Sequence, residues 1–323
     1  MATLPTLITG GAGFIGSHLA DRLLKDGAAI VILDDLSTGR YANVAHLDGR
    51  DGVTLIVDSV MNERLMEDLI RGCDRVFHLA SAVGVKLIME QPVRTIETIF
   101  RGTEIVLKNC SRYRKRVLIP SSSEVYGKGV SVPFREEDDV LTGATHKHRW
   151  AYACAKSLDE FLALAHYKET RLPVAIARLF NTVGPRQSGH YGMVVPRFVE
   201  AALANQPIVV HGNGQQTRCF AHVYDVVEVL LRMLETPACL GEVINIGNEA
   251  ETTVEALART VVRLTGSKSE IKFVPYDQVY GAGFEDMQRR VPSLEKARRL
   301  LNYKPTRDLE TIVRDIVAEL KKS

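Results

Sequence analysis

The chain has 323 residues, 46% of them apolar and 25% charged, with 41 basic against 39 acidic side chains and a formal net charge of +2. That length suits a large α/β unit carrying a smaller appended one, and the balanced charge gives no reason to expect a nucleic-acid partner. Leu4 to Thr9 runs straight into a glycine cluster and so reads as a strand, not a signal, and no later apolar run is long enough to span a bilayer.

Short apolar, β-branched runs alternate with longer stretches of helical period. Leu7–Thr9 precedes a helix over Phe14–Lys25; Ile30–Leu33 and Thr54–Val57 precede one over Asn62–Arg71. Val76–Leu79 is followed by a helix over Val93–Arg112, Val117–Pro120 by one over Trp150–Glu169, and Val174–Leu179 closes the series. Such alternation is the mark of βαβ units. The strands are continuously apolar, which suits a parallel sheet buried on both faces, with right-handed crossovers winding the helices onto each side. The basic run Arg112 to Arg116 falls where a helix should end, a place where cations favour the dipole. After Asn181 the pattern loosens into turn-rich stretches at 184–192 and 211–216, with helices near Val195–Ala204 and Thr253–Thr265 and a last one from Leu309. Phe220–Leu234 and Val243–Ile246 could return a helix and a strand to the first lobe. The expected fold is α/β: a doubly wound, parallel-sheet Rossmann domain over residues 1–180, with returning segments around 220–246, and a smaller α/β substrate-binding lobe over 181–323.

Thr9 to Ser17, with Gly10, Gly13 and Gly16, follows the first strand and opens the first helix, the context a dinucleotide fingerprint needs. Gly10 makes the tight turn, Gly13 leaves space for a pyrophosphate, and Gly16 lets helix approach strand, with Phe14 and Ile15 in the turn beside the cofactor. The phosphate charge then meets unpaired amides at a positive helix end. Asp34 ends the second strand, where a carboxylate binds the adenosine ribose and repels a 2′-phosphate, favouring NAD; Asp35 is the second candidate. Asp58 after the third strand can meet the adenine or cap the helix ahead of Asn62. Leu79, Ala80 and Ser81 close the fourth strand with small residues along the cofactor's path.

Tyr152 and Lys156 stand four apart in a helical segment and share a face. They follow a fifth strand ending Ser121–Ser122–Ser123–Glu124–Val125–Tyr126–Gly127. A phenol of pKa about 10 is a poor base at neutral pH, but an ammonium and a nicotinamide cation stabilise the phenolate. Tyr152 could then deprotonate a sugar hydroxyl while hydride leaves the same carbon, with Ser122 sharing the hydrogen bond.

These residues, together with Arg178 to Arg186 and Gly214 to Arg218, make the chain resemble an extended short-chain dehydrogenase/reductase, the NAD-dependent nucleotide-sugar epimerase, dehydratase and decarboxylase superfamily, over nearly its whole length. The resemblance implies that Phe180 lies by the nicotinamide. It further implies that Asn181 and Arg218 hold the diphosphate or ribose of the sugar nucleotide, and that Thr182 and Arg186 border the sugar. It also implies a homodimer built through two helices per subunit. One departure is Thr98–Ile99, where the family often has Asn near position 99.

The reaction turns on residues near C5 and C6 of the sugar. Glu124, the run Lys147–His148–Arg149–Trp150 and the run Phe284 to Ser293 resemble UDP-glucuronate decarboxylase-like members. Arg149 and Arg290 make sense if the substrate carries an extra anion, although either could serve as a surface ion pair. Once C4 is a ketone, a C6 carboxylate is β to it and can leave as CO2, with Glu124 or a neighbour handling the proton at C5. Tyr152, Lys156, Ser122, Ser123, Glu124 and Arg290 are therefore the catalytic candidates. UDP-sugar 4-epimerisation, of UDP-glucose or UDP-glucuronate, is the alternative. A 4,6-dehydratase ranks lower, because Ser123 stands where that variant has Asp, and a non-catalytic NAD-sensing regulator would be expected to lose the Tyr/Lys pair. Ring contraction is not supported, since position 123 is Ser and the Ala80–Gly84 loop has no cysteine.

No metal is required. His146-x-His148 sits in a polar loop without a third ligand, and the five cysteines (Cys73, Cys110, Cys154, Cys219, Cys239) are odd in number and never spaced Cys-x-x-Cys. Reduced thiols suit a cytoplasmic protein.

Overall fold

A computed structural model of the chain describes residues 4–81, 90–129, 131–147, 149–189, 193–280 and 287–321. His148, most of the Ala80–Gly84 loop and Phe284 to Asp286 lie outside the described residues. The strands are β1 (Thr6–Thr9), β2 (Ile30–Asp34), β3 (Val53–Val57), β4 (Arg75–His78), β5 (Arg116–Ser122) and β6 (Val174–Leu179), then β7 (Thr182–Val183), β8 (Ile208–His211), β9 (Thr217–Cys219), β10 (Ala221–His222), β11 (Val243–Ile246), β12 (Glu251–Thr253) and β13 (Ile271–Val274). The described helices, numbered in chain order, are α1 (Phe14–Lys25), α2 (Glu63–Gly72), α3 (Pro92–Tyr113), α4 (Arg149–Thr170), α5 (Val194–Leu203), α6 (Val223–Glu235), α7 (Val254–Thr265), α8 (Tyr276–Tyr280), α9 (Glu295–Leu301) and α10 (Leu309–Leu320).

Seven parallel strands form the central sheet in the order β11-β6-β5-β4-β1-β2-β3. Strand order reverses about β1, the place where a doubly wound sheet opens a crevice for a dinucleotide. One face of the sheet packs a core with Leu19 and Leu23 of α1 and Val226 to Leu234 of α6. The other packs Met66 and Ile70 of α2, Ile105 to Cys110 of α3 and Ala163 of α4. The helix and strand expected to return to the first lobe do so, as α6 and β11. Leu294, Ala297, Leu301 and Tyr303, placed in the second lobe by the sequence, also pack on this sheet. The second lobe has its own core, in which α5, α7 and α10 contribute Phe198, Leu257 and Ile312.

Two local expectations change. β3 reads as a doubly buried strand but is the sheet edge, and Val57 is 60% exposed. Its apolar character answers one covered face only. Asp58 is not the cap of α2: Asn62 Oδ1 accepts from Leu65 N at 3.2 Å, and Asp58 Oδ2 accepts from Asn62 Nδ2 at 3.0 Å. Asp58 thus steadies the capping side chain. The basic run behaves as read, since α3 ends at Tyr113 and Arg112 pairs with Glu67 on α2. Among the described residues no helix is long and apolar enough to cross a membrane, and no metal-ligand cluster occurs.

Candidate active site

The glycine turn is pressed against the end of β4. Gly10 has φ +69°, and a Cβ there would lie 2.6 Å from Ala80 N, so only glycine closes the turn at this separation. At Gly16 an added Cβ would strike the Gly10 carbonyl. α1 starts at Gly13 with no side-chain cap and no acid in its first turn, leaving the amides at Phe14 and Ile15 open to an anion. Asp34 is buried, and its two oxygens accept from Leu36 N and Ala12 N, each at 2.9 Å. Burial pushes its carboxyl up and these bonds pull it back. Asp35 is exposed and accepts from Ser37 N at 2.9 Å, so Asp34 is the acid built into the turn. Ser81 Oγ, beyond β4, is buried without a hydrogen-bond partner, and Leu79 and Ala80 beside it are half-buried. A cradle that no side chain can enter, an uncapped helix end and an orphaned hydroxyl together fit a dinucleotide.

Across the sheet, β5 ends at Ser122, whose Oγ accepts from Glu124 N at 3.2 Å and hydrogen-bonds with Tyr152. The Tyr152 ring packs with Ile99 and Ala155. Burial pushes its phenol far up, while Ser122 and Arg290 oppose the shift. Lys156 does not hydrogen-bond to Tyr152: its Nζ donates to Pro120 O at 3.1 Å and to Asp159 Oδ2 at 3.3 Å. Ser123 is buried in the turn that carries Glu124. The Glu124 carboxylate lies between two buried guanidinium groups, Arg149 at 3.2 Å and Arg290 at 2.5 Å. Arg149 reaches it because it opens α4, three residues before Tyr152.

Arg290 arrives on a strap stitched to both lobes. Phe134 N donates to Val291 O at 2.8 Å, Ser293 N to Phe134 O at 2.8 Å, and Thr217 N to Gln288 O at 2.9 Å. Arg218 joins the same strap by donating to Met287 O at 2.8 Å. Phe180 is fully buried with Val125, Tyr126, Phe134 and Met287. Asn181 Nδ2 donates to Cys219 O at 3.1 Å, and Thr182 Oγ1 to Phe180 O at 3.5 Å. Arg186 pairs with Asp21 of α1 at 2.8 Å.

Beneath the site lies a buried polar layer that no sequence motif marks. Glu160 receives both Arg178 Nε, at 2.9 Å, and Arg178 Nη2, at 2.7 Å, and also binds Ser121. Tyr126 donates to Asn245 Oδ1 at 2.8 Å. An arginine inside the apolar strand Val174–Leu179 was the available signal, since a buried guanidinium requires a carboxylate.

A doubly wound sheet with a glycine turn, an acid at the end of β2 and a Tyr/Lys pair after β5 defines a dinucleotide-dependent enzyme of the short-chain dehydrogenase/reductase class. A profile of the GDP-mannose 4,6 dehydratase family matches residues 7–316, and the chain belongs to this family. It is 43% identical over 300 residues to a UDP-N-acetyl-alpha-D-glucosaminuronate decarboxylase of Bacillus cytotoxicus, covering 93% of this chain and 92% of the relative. It is 36% identical to UDP-glucuronic acid decarboxylase 1 of Xenopus tropicalis, covering 94% of this chain and 69% of that one. Among solved structures, a UDP-glucuronic acid 4-epimerase from Bacillus cereus, in complex with UDP-glucuronic acid and NAD, matches with a TM-score of 0.89 at 26% identity and 99% coverage of both chains.

Proposed function

We propose that the chain decarboxylates a UDP-linked uronate, UDP-glucuronate in the first place, through a 4-keto intermediate to give CO2 and a UDP-pentose. The observation that carries this reading is the buried Arg149–Glu124–Arg290 group beside Tyr152. Two guanidinium groups buried beside Tyr152 are the kind of cation that recognises a substrate carboxylate. The decarboxylase relative at 43% identity supports the same reaction, and the N-acetyl group in its named substrate makes UDP-N-acetylglucosaminuronate a second compound to assay.

NAD is the cofactor and, when bound, supplies the hydride acceptor for C4. Tyr152 takes the proton from the C4 hydroxyl, and Ser122 holds that oxygen. Arg149 and Arg290 hold the C6 carboxylate, now β to a ketone. The C5–C6 bond breaks, its electron pair becomes the enolate, and C5 then receives a proton from water or a neighbouring group that the Glu124 carboxylate orients. Return of the hydride to C4, with Tyr152 giving its proton back to the C4 oxygen, would complete the UDP-pentose. Asn181 and Arg218 face the nucleotide diphosphate or ribose, and Thr182 and Arg186 border the sugar.

The 4-epimerase reading shares the oxidation step but keeps the carboxylate, and the Bacillus cereus structure gives it support. Incubation with a panel of UDP-hexoses and UDP-uronates, with products identified by NMR, separates the two. CO2 with a UDP-pentose or its 4-keto form is expected. Inversion at C4 with the carboxylate retained would transfer the assignment to the epimerase.

Asp34 carries a prediction of its own. A 2′-phosphate facing a buried carboxylate costs on the order of 3 kcal/mol, so calorimetry should find NAD bound about a hundredfold more tightly than NADP. Equal affinities would remove that role from Asp34.

The proposal extends to a homodimer and a cytoplasmic site. All five cysteines are free, which suits a reducing compartment. Val93 and Ile96 on α3 and Leu158 and Phe161 on α4 are exposed, Phe161 by 66%. Cys154, Leu158 and Phe161 follow one another at helical spacing, so the outward face of α4 is apolar. Phe161→Arg should convert a dimer to a monomer in size-exclusion chromatography with light scattering. A monomeric wild-type protein would rule the dimer out.

A further inference from the structure

Asp159 belongs to none of the roles above, yet it is fully buried and sits one turn beyond Lys156 on α4. Its Oδ2 accepts from Lys156 Nζ at 3.3 Å, and its Oδ1 is buried without a hydrogen-bond partner. Thr103 of α3 faces the same carboxyl and favours its ionised form. Thr103 Oγ1 is also 3.3 Å from His78 Nε2, and His78 Nδ1 is 2.8 Å from Thr9 Oγ1, which accepts from Ala80 N at 3.4 Å. Burial, and then the Lys156 charge, push His78 down to about 3, so its ring is neutral.

One assignment of protons orients the whole chain towards Asp159, whose Oδ1 keeps no partner of its own. Ala80 N–H donates to Thr9, the Thr9 hydroxyl to His78 Nδ1, His78 Nε2–H to Thr103, and the Thr103 hydroxyl to Asp159. Every donor points towards Asp159, as does the Lys156 ammonium, and this is the arrangement a carboxylate requires. Burial pushes the Asp159 carboxyl up, and Lys156 and Thr103 pull it back.

We propose that Asp159 is a positioning residue that keeps the proton of the Tyr152/Lys156 pair on Lys156, so that the pair in its base form is a phenolate beside an ammonium and not a phenol beside an amine. This rests on Tyr152 acting as the base. Titratable neighbours are few. Among the described residues α4 itself offers Lys156, Glu160 and Tyr152, and α3 offers Thr103. β4 offers the neutral His78, and β5 the Pro120 carbonyl. Tyr152 also faces Glu124 and Arg290, which the variant below leaves in place.

The sign follows from charge. An anion beside two titratable groups makes the first proton harder to remove, and it favours leaving the second proton on the nearer group, Lys156. Asp159→Asn removes the anion and keeps the shape. The acid limb of the kcat–pH profile, measured on the sugar nucleotide that the wild type turns over, should move down by about one unit or more. Its plateau should fall about tenfold, because the remaining proton now settles on Tyr152. Asp159→Glu, which restores the charge, should bring the limb back towards wild type. Asp159→Ser, neutral and smaller, gives a second reading if the asparagine variant does not fold, with thermal unfolding checked for each. A limb that stays in place while kcat falls would show a purely structural role and overturn the proposal, as would an upward shift or an unchanged profile. Loss of this proposal leaves the base assignment standing, because Tyr152→Phe tests that separately.

Discussion

Tyr152→Phe is expected to lower kcat by about a thousandfold or more, the range a positioned general base supplies, while NAD affinity changes by no more than about fivefold, the worth of one hydrogen bond. The ring is buried against Ile99 and Ala155 and loses nothing of that packing when only the hydroxyl is removed. What disappears is the oxygen that hydrogen-bonds with Ser122 and would accept the C4 hydroxyl proton. Because burial drives the phenol upward, the site has to assemble its cations before Tyr152 can act, so turnover should rise with pH through an acid limb that the phenylalanine variant lacks. Single-turnover assays and calorimetry on the same preparation check both halves. Turnover close to wild type would place the base on another residue.

Arg290→Met is expected to reduce kcat/KM for UDP-glucuronate by about a hundredfold or more, since leaving a buried carboxylate without its guanidinium costs on the order of 3–5 kcal/mol. Arg290 is buried, pairs with Glu124 at 2.5 Å, and has its Nε atom without a hydrogen-bond partner. The strap's backbone bonds to Phe134 and Thr217 do not involve the arginine side chain, so the substitution should leave the strap seated and NAD binding intact. A neutral UDP-hexose has no carboxylate for Arg290 to hold, and any turnover of it should depend far less on this residue. An equal loss on both substrates would mean that Arg290 serves the protein's own Glu124 and not a substrate anion.

The glycine turn, Asp34, Ser122 and the Tyr152/Lys156 pair each lie at a strand end or within one helix, so local spacing suffices to single them out as candidates. The Arg149 position is of the same kind, three residues before Tyr152 on the helix that both occupy. Other features were invisible for a stated reason. Glu124 meets Arg290 across 166 positions because a strap crosses from the second lobe, and no periodicity encodes that crossing. Lys156 shares a helix face with Tyr152, and only the fold shows that its ammonium donates to Asp159 and Pro120 O. Arg186 also pairs with Asp21 of α1, a partner 165 positions away that no local spacing encodes.

By itself the sequence determined the alternation of buried strands and amphipathic helices, and hence the class of fold, and the places of the glycine turn and of the Tyr152/Lys156 pair within it. Those features depend on residue type and on separations of a few positions, which backbone geometry converts directly into shared faces and turns. Only the tertiary structure decided which charges neutralise one another. His78, Thr103 and Asp159 come from β4, α3 and α4, and Glu160 and Arg178 from α4 and β6. Each is costly to bury alone and becomes stable only when packing excludes water and brings its partner within hydrogen-bond reach.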